Sequence, residues 1–505
     1  MNSNKKTCDV LVVGGGINGA GIARDLAHRG LSVILCERDD LAAHTSSSST
    51  KLIHGGLRYL EHFEFSLVRK ALQEREVLLR SAPHIMWPLR FVMPYDAAMR
   101  PVWMVRAGLF LYDHLAKREF LSASEVVTLQ DHAAGAPLKP QFKTGFVYSD
   151  GWVDDARLVV LNALDAQEHG AKIFTRTSCV AVQKQNNKWL AALQSQTGTA
   201  FQVSARAIVN ATGPWVERFL QINSLRDAHD LRLVKGSHII VRKLFEHDYA
   251  YIFQNADKRI IFAIPYENDF TLIGTTDMEI TGDPGEAKID AAEICYLCEQ
   301  ANRYFAKPIS AADVVWSYSG VRPLIDDSNG DPSTVTRDYL LEMHDQQAPL
   351  LTVWGGKITT FRKLAQEAGD NVCAALGVKK SSNTAGQFLP GGDLNDFISL
   401  SRNPVMDFAA FVEELARRYP WLASTFRLRY ARAYGSRIAL LIGNATSLAG
   451  LGEQIAPQFY AAEANYLQRH EWATTAEDML WRRSKLGLHM SEAERGKVAT
   501  WCAAK

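Results

Sequence analysis

An apolar run that ends in three glycines and continues as a helix leaves a chain few ways to fold. This sequence begins with such a run, CDVLVVGGGINGAGIA from Cys8 to Ala23. Val10–Val13 has the length of a buried parallel strand and is too short for a helix. Gly14, Gly16 and Gly19 spell G-x-G-x-x-G around Asn18, and Ala20, Ile22, Ala23 and Leu26 follow at helical spacing as far as Gly30. Leu31–Cys36 reads as a second strand, closed by Glu37. The first glycine permits the tight turn and the second lets backbone approach a pyrophosphate. The third lets helix pack on strand, with the helix N-terminus facing the phosphates. An acid placed as Glu37 is can take a ribose hydroxyl. A dinucleotide is the expected ligand.

With 505 residues the chain has room for two or three domains with substantial cores. A net charge of +1 with 22% charged residues describes an ordinary soluble protein and argues against a generic nucleic-acid binder. The seven cysteines (8, 36, 179, 295, 298, 373 and 502) have no framework spacing. Cys295 and Cys298 make a lone C-x-x-C in a helical stretch, so all read as reduced thiols in a reducing compartment. Lys5 and Lys6 before an apolar run mimic a signal peptide, but the run meets glycines and carries no cleavage site. The final CAAK outlines a prenylation box, discounted because lysine is a poor last residue and no polybasic tail precedes it. No apolar stretch is long enough to span a membrane.

After Glu37 come TSSSST (45–50) and KLIHGGLRYL (51–60). The serines would pass for a linker on composition alone. Their place behind the ribose-side strand instead suits a loop whose hydroxyls and amides meet phosphate oxygens. Residues 61–81 read as an amphipathic helix with Phe65, Val68, Leu72 and Leu79 on one face. Arg90–Arg118 mixes basic with aromatic and apolar residues; an interfacial segment on an anionic bilayer and a core helix with a basic rim both remain open. Gly151–Asp165 reads as a strand end entering a helix, and ARAIVNATG (205–213) as a buried strand at the far edge of the nucleotide fold. SHIIV, YAYIF, RIIFAIP and FTLIG between Gly236 and Asp277 read as consecutive antiparallel strands of a substrate-side domain. LLTVW (350–354), Gly355-Gly356-Lys357 and a helix carrying Phe361, Leu364, Ala368 and Val372 repeat the strand, glycine turn and helix start. That second turn suits an extended flavin, whose ring would lie before a positive helix end near Lys357. Beyond Pro390-Gly391-Gly392 only helical patterns are read, with Phe408, Phe411 and Leu415 on one face and a capping box at Thr474-x-x-Glu477.

GGGINGAGIA, TSSSSTKLIHGGLRYLE, VDDARLV, NATGPW, KGSHI, IGTTD, YSGVRPL, TRDY and GGKITTFRKLAQ occur in this order. In that order the chain closely resembles the FAD-dependent glycerol-3-phosphate dehydrogenases of respiratory chains, from about Cys8 to the last helices. The resemblance implies an α/β fold: a Rossmann-like FAD-binding domain, an antiparallel-sheet substrate domain as in amino-acid-oxidase-like flavoproteins, and an all-helical C-terminal domain. Residues 1–390 would form the oxidoreductase region, with FAD segments at about 8–80, 150–215 and 350–376 and substrate segments at about 81–149 and 230–345; 391–505 would be the helical domain. FAD would be held by Gly14, Gly16, Asn18, Gly19 and Glu37, then Thr45, Ser46, Ser48, Lys51, Leu52, His54, Gly55 and Gly56. Ala211, Gly213 and Trp215 would join them, as would Gly355, Lys357, Ile358 and Thr359.

The implied substrate is sn-glycerol 3-phosphate, oxidised to dihydroxyacetone phosphate. A dianionic monoester needs clustered donors, here Arg58, Arg322, Arg337 and Lys357, with Tyr59 and Thr275 close by. Each charged hydrogen bond to it contributes roughly 1.5–3 kcal/mol in a shielded pocket. His238 and His54 are the candidate bases for the C2 hydroxyl proton, His238 favoured by its place on the substrate sheet, and Arg322 joins them as a catalytic candidate. In the family resembled, electrons pass to a membrane quinone. Peripheral binding to the anionic cytoplasmic face of the plasma membrane and a homodimer are implied with it. An oxidase that reduces oxygen to peroxide shares nearly all these motifs, although the added surface insertion of that branch is not seen here. An amino-acid or amine oxidase needs one carboxylate-binding arginine rather than a basic cluster, and a flavin-binding regulator without turnover needs no base. Asp326–Asp331 lacks the spacing of a calcium loop, so no metal is expected.

Overall fold

Lys5–Val13 runs through the middle of a sheet whose order is Leu340–His344, Leu350–Trp354, Ala200–Asn210, Lys5–Val13, Val33–Cys36, Lys172–Phe174. The computed structural model describes residues 5–96, 100–225, 229–255, 257, 259–325, 339–344 and 348–505, with the backbone alone at 58, 61 and 62. The inner strands pair in parallel, Val10 opposite Ala207 and Val33, and are buried on both faces, which is why they read as unbroken apolar runs. Ala200–Asn210 is not at the far edge, as its terminal glycine suggested. It pairs with Lys5–Val13 along one side and with Leu350–Thr352 at the end of the other, and its last four residues are buried. The helices Ile17–His28, Asp155–Glu168 and Phe361–Ala375 pack on this sheet through Ala20, Ala23, Val159, Ala163, Leu364 and Ala368.

A second sheet lies beside the first, in the order Met278–Glu279, Leu231–Arg242, Phe270–Gly274, Ile260–Tyr266, Ala250–Gln254, Met86–Pro94, Thr144–Val153, Leu52–Ile53. Val314–Ile325 pairs along Leu231–Arg242, and Glu125–Thr128 along Thr144–Val153. The strands expected between Gly236 and Asp277 are there and are antiparallel wherever they pair with one another. Leu231–Arg242 closes on Phe270–Gly274 rather than on its successor in sequence, and Ala250–Gln254 meets Met86–Pro94 in parallel. The stretch Arg90–Arg118 divides in two. Its start is the buried end of the strand Met86–Pro94, and its body is the helix Val102–His114, which buries Leu109 and Tyr112 and leaves Trp103 and Phe110 67% and 64% exposed. The helix expected over 61–81 starts at Phe65, after a 3₁₀ segment at Leu57–His62.

Beyond residue 391 a separate apolar core forms around Phe411, Leu415, Tyr430, Tyr434 and Leu467, on the helices Pro404–Arg418, Ser424–Tyr434 and Ala461–Glu471. This part is not purely helical: Gln454–Ala456 and Phe459–Tyr460 make a short hairpin. Its capping box also sits one residue later than the sequence suggested. Asp478 N donates to Thr475 Oγ1 at 3.2 Å, and Thr475 N donates back to Asp478 Oδ2 at 2.9 Å. Asp478 wins over Glu477 because Arg176 and Arg482 hold its carboxylate at 2.6 Å. Buried ion pairs join this core to the nucleotide region. Arg157 reaches Glu471, and Asp40 takes Arg483 at 2.6 and 2.8 Å and Arg482 at 2.6 Å.

Candidate active site

Both sheets contribute to one cavity of about 320 Å³, which Ile17, just past the first glycine turn, and Gly355 and Gly356 of the second help to line. Gly14, at φ +111°, sits so close to the Ala200–Asn210 strand's end that a Cβ would lie 2.4 Å from Ala211 O, and a Cβ on Gly19 would lie 1.9 Å from Gly14 O. These two positions are closed to other residues by packing, as the helix–strand role requires. Glu37 accepts hydrogen bonds from Gly15 N at 2.6 Å and Asp39 N at 2.9 Å, and burial pushes its carboxyl above the usual range. Asn18 Nδ2 donates to Gly355 O at 3.2 Å, joining the two glycine turns although 337 residues separate them. Its Oδ1 is buried with no partner.

The serine-rich loop folds back between the two sheets. Ser46 Oγ accepts from Ile17 N at 3.0 Å at the first helix's N-terminus, while Thr45 Oγ1 donates to Val321 O at 2.7 Å on the second sheet. Ser48 can approach because Gly320 stands opposite; a Cβ there would be 2.9 Å from Ser48 Cβ. Ile17, Thr45, Ser46, Ser48, Leu52, His54 and Gly56 line the cavity from this side, and Gly355, Lys357, Ile358 and Thr359 from the second turn. Lys51 turns away: its ammonium pairs with Asp155 Oδ1 at 2.8 Å and reaches Ser47 O at 3.1 Å, leaving it 1% exposed. Gly55 faces inward and donates its N–H to Tyr112 at 2.8 Å. Gly213 adopts φ +59°, and Trp215 packs under Arg38, the residue after Glu37, at 4.0 Å.

The opposite side is built from the second sheet. His238 pairs with Tyr318 and Gly274, Gly236 with Gly320, and Val234 with Arg322, so alternate residues of two adjacent strands face the cavity together. Gly236, His238, Thr275, Asp277 and Arg322 all line it. The imidazole of His238 stacks on the Tyr318 ring at 4.8 Å, its Nε2 lies 3.0 Å from Thr50 Oγ1, and its Nδ1 is buried without a partner. Burial, and after it the charges of Lys51 and Arg322, pushes its pKa down to about 3, so the ring is neutral at physiological pH. Arg322 Nη2 pairs with Asp277 Oδ1 and donates to Thr276 O at 3.2 Å. Lys357 Nζ sits 4.2 Å over the ring of Tyr59.

The structure therefore brings His238, His54, Tyr59, Thr275, Arg322 and Lys357 to the wall of one cavity. The side chain of Arg58 and the whole of Arg337 lie outside the described residues. Sequence reasoning missed Thr50, Asp277 and Tyr318, although each lies in or beside a motif it had singled out. The donor set fits a flavin dinucleotide. The first glycine turn with its helix N-terminus and Glu37 suit a dinucleotide's phosphates and ribose, and the second glycine turn with Lys357, near a neutral His238, suits the flavin ring.

The family model described as FAD dependent oxidoreductase matches residues 9–362, and the one described as C-terminal domain of alpha-glycerophosphate oxidase matches 382–502. The chain is 51% identical to a glycerol-3-phosphate dehydrogenase of Pseudomonas aeruginosa, over 98% of this chain and 94% of that one. It is 48% identical to a D-erythritol 1-phosphate dehydrogenase of Brucella abortus, over 98% of each. Among solved structures it resembles a glycerol-3-phosphate dehydrogenase from Bacillus halodurans complexed with FAD, with a TM-score of 0.79, 26% identity, and coverage of 99% of this chain and 90% of that one.

Proposed function

The chain belongs to the FAD-dependent oxidoreductases, in the branch that ends in the C-terminal domain of alpha-glycerophosphate oxidase, and from that premise we propose that it oxidises sn-glycerol 3-phosphate to dihydroxyacetone phosphate and delivers the electrons to a membrane quinone. The observation that carries this reading is the meeting of Arg322 and Lys357 with a neutral His238 in one cavity. An amine or amino-acid substrate has no use for that cation pair, whereas a phosphate dianion does.

FAD would be held by the Gly14–Gly19 turn, Glu37, the Thr45–Ser48 loop and Gly355–Thr359, and when bound it supplies the acceptor for the hydride of substrate C2. Arg322 and Lys357 bind the phosphate, joined by Arg58 and Arg337, while Thr275 and Tyr59 orient the polyol. His238 takes the C2 hydroxyl proton. A pKa near 3 makes it a weak base in the substrate-free site; a phosphate dianion beside Arg322 offsets the cations that depress it and raises its basicity as substrate binds. His54 serves the flavin side. Residues 1–390 form the oxidoreductase region and 391–505 the C-terminal domain.

No helix among the described residues is long and apolar enough to cross a membrane. Trp103, Phe110 and Phe63 (78% exposed), with Arg100, Arg106 and Lys117 around them, form the face that lies on an anionic bilayer. The test is steady-state turnover of the FAD-loaded protein with a soluble quinone analogue and a dye, beside a second assay with oxygen and peroxide detection. Each is run with glycerol 3-phosphate and with D-erythritol 1-phosphate. Fast dye reduction by glycerol 3-phosphate with little peroxide is expected. Faster turnover of the tetritol phosphate would move the substrate assignment, peroxide release would make the protein an oxidase, and silence throughout would overturn the reading.

A further inference from the structure

Behind the cavity, on the hidden side of the same strands, lies a buried carboxylate that the reaction does not use. Glu293 is the third residue of the helix Ala291–Tyr304 and part of its capping box: Glu293 N donates to Asp290 Oδ1 at 2.8 Å, and Asp290 N to Glu293 Oε2 at 3.1 Å. A cap needs no more than this, yet Glu293 is 4% exposed and has further partners. Its Oε1 accepts from Thr276 Oγ1 at 2.7 Å and from Ser237 Oγ at 2.9 Å, and its Oε2 meets Lys235 Nζ at 2.8 Å. Ser237 Oγ lies 2.8 Å from Ser319 Oγ, and Ser237 N donates to Thr276 Oγ1 at 3.0 Å. One carboxylate thus ties the strand of His238, the segment of Thr275 and Asp277, and, through Ser319, the strand of Arg322.

The alternation of strands gives each tie a consequence. Lys235 and Ser237 face Glu293, while Gly236 and His238 between and after them face the cavity. Thr276 works on both sides: its hydroxyl is held by Glu293, and its carbonyl accepts from Arg322 Nη2 at 3.2 Å. We propose that Glu293 is a positioning residue for the reaction, acting through Thr276 on the Arg322 guanidinium and through Ser237 on the His238 backbone. It rests on the assignment of His238 and Arg322 made above.

The FAD-loaded variants Thr276→Val, Thr276→Ser and Glu293→Gln test it, with Asp290→Ala as a control that weakens the cap and leaves the Thr276 hydroxyl in place. Each is measured for kcat and KM with glycerol 3-phosphate and a dye, for thermal midpoint, and for binding of inorganic phosphate followed by flavin absorbance, which needs no turnover. Thr276→Val should lose ~100-fold in kcat/KM, the cost of misplacing a reacting group by about 1 Å, and bind phosphate more weakly. Its midpoint should stay within a few degrees of wild type, because one hydroxyl is lost and the shape is kept. Thr276→Ser should restore both kinetics and phosphate binding, Glu293→Gln should follow Thr276→Val, and Asp290→Ala should lower the midpoint with kinetics intact. Wild-type kinetics and phosphate binding in Thr276→Val and Glu293→Gln would overturn the inference. An equal loss in Asp290→Ala would do so too, since the helix cap alone would then explain the effect. If the wild type fails to turn over glycerol 3-phosphate, the functional reading falls, and phosphate binding across the same variants still decides the role of Glu293.

Discussion

Gly274 sets how close the second sheet can bring His238 to its neighbours, and Gly274→Ala is the sharpest test of that placement. A Cβ at this position would lie 2.1 Å from His238 Cδ2 and 2.8 Å from Nε2. Ordinary contact begins at 3.4 Å, so the ring must shift by about 1.3 Å. It has nowhere easy to go, because Tyr318 stacks on it at 4.8 Å, Thr50 Oγ1 holds Nε2 at 3.0 Å, and the residue is 2% exposed. Overpacking of this kind costs about 1–3 kcal/mol of stability. A displacement near 1 Å at a proton-accepting group costs ~100-fold in rate, or about 2.7 kcal/mol of barrier. Gly274 belongs to the second sheet and not to the glycine turns, so FAD content should stay at wild type. The assay is anaerobic stopped-flow reduction of the flavin by glycerol 3-phosphate, with flavin stoichiometry and thermal midpoint measured on the same samples. Gly496→Ala, whose Cβ would meet nothing within 4 Å, is the neutral control. Wild-type reduction by Gly274→Ala, with a midpoint lowered as expected, would show that His238 can be displaced without cost and is not the proton acceptor.

His238 and His84 are both buried, and burial pushes each down from 6.5 to about 3. The unfolded chain therefore binds protons between those values that the folded chain refuses, and stability is full above pH 6.5 and falls as pH drops towards 3. Each histidine should cost about 2 kcal/mol at pH 5, so thermal midpoints should fall on acidification, and His84→Gln should flatten that slope; an unchanged slope would refute the account. Asp40→Asn removes the carboxylate closest to the fully buried Arg483, while Arg482 keeps Asp478, which should cost about 3 kcal/mol and lower the thermal midpoint; an unaltered midpoint would mean the pairs are dispensable. Replacing both Trp103 and Phe110 by Glu should abolish co-sedimentation with anionic vesicles while soluble dye turnover persists, and retained binding would place the lipid contact elsewhere.

The parts of the site that local sterics dictate were legible in the sequence. Gly14, Gly19 and Gly56 stand where a Cβ would strike backbone or a ring, and such constraints leave their mark in a few adjacent letters. The same holds for the strands from Gly236 to Asp277, short apolar runs between polar turns that are buried along most of their length. What distant chain decides was not legible. Thr474-x-x-Glu477 and Thr475-x-x-Asp478 are equally good capping boxes, and Arg176, far upstream, helps choose between them. Asp290-x-x-Glu293 reads as a complete helix cap, and nothing near it announces that its second oxygen meets Ser237, 56 residues earlier. Lys51 sat inside a cofactor motif, but Asp155, 104 residues on, takes its charge.

The position of Arg322 explains why the site needs two sheets. One side of its guanidinium is already engaged by Asp277 and Thr276 O, so its charge meets an incoming phosphate partly neutralised. A dianion cannot be balanced by that group alone, and the second sheet places no other cavity-facing cation among the described residues. Lys357 comes from the first sheet, after Gly355 and Gly356, whose φ of +69° and +101° turn the chain into the cavity. Asn18 holds that turn to the nucleotide helix through Gly355 O. The glycine turn read from sequence as a flavin element thus also brings a second cation, Lys357, to the cavity. On the proposed function, Arg322 from the second sheet and Lys357 from the first would grip the phosphate together, so the turn that Asn18 holds to the nucleotide helix would serve both the dinucleotide and the anionic substrate.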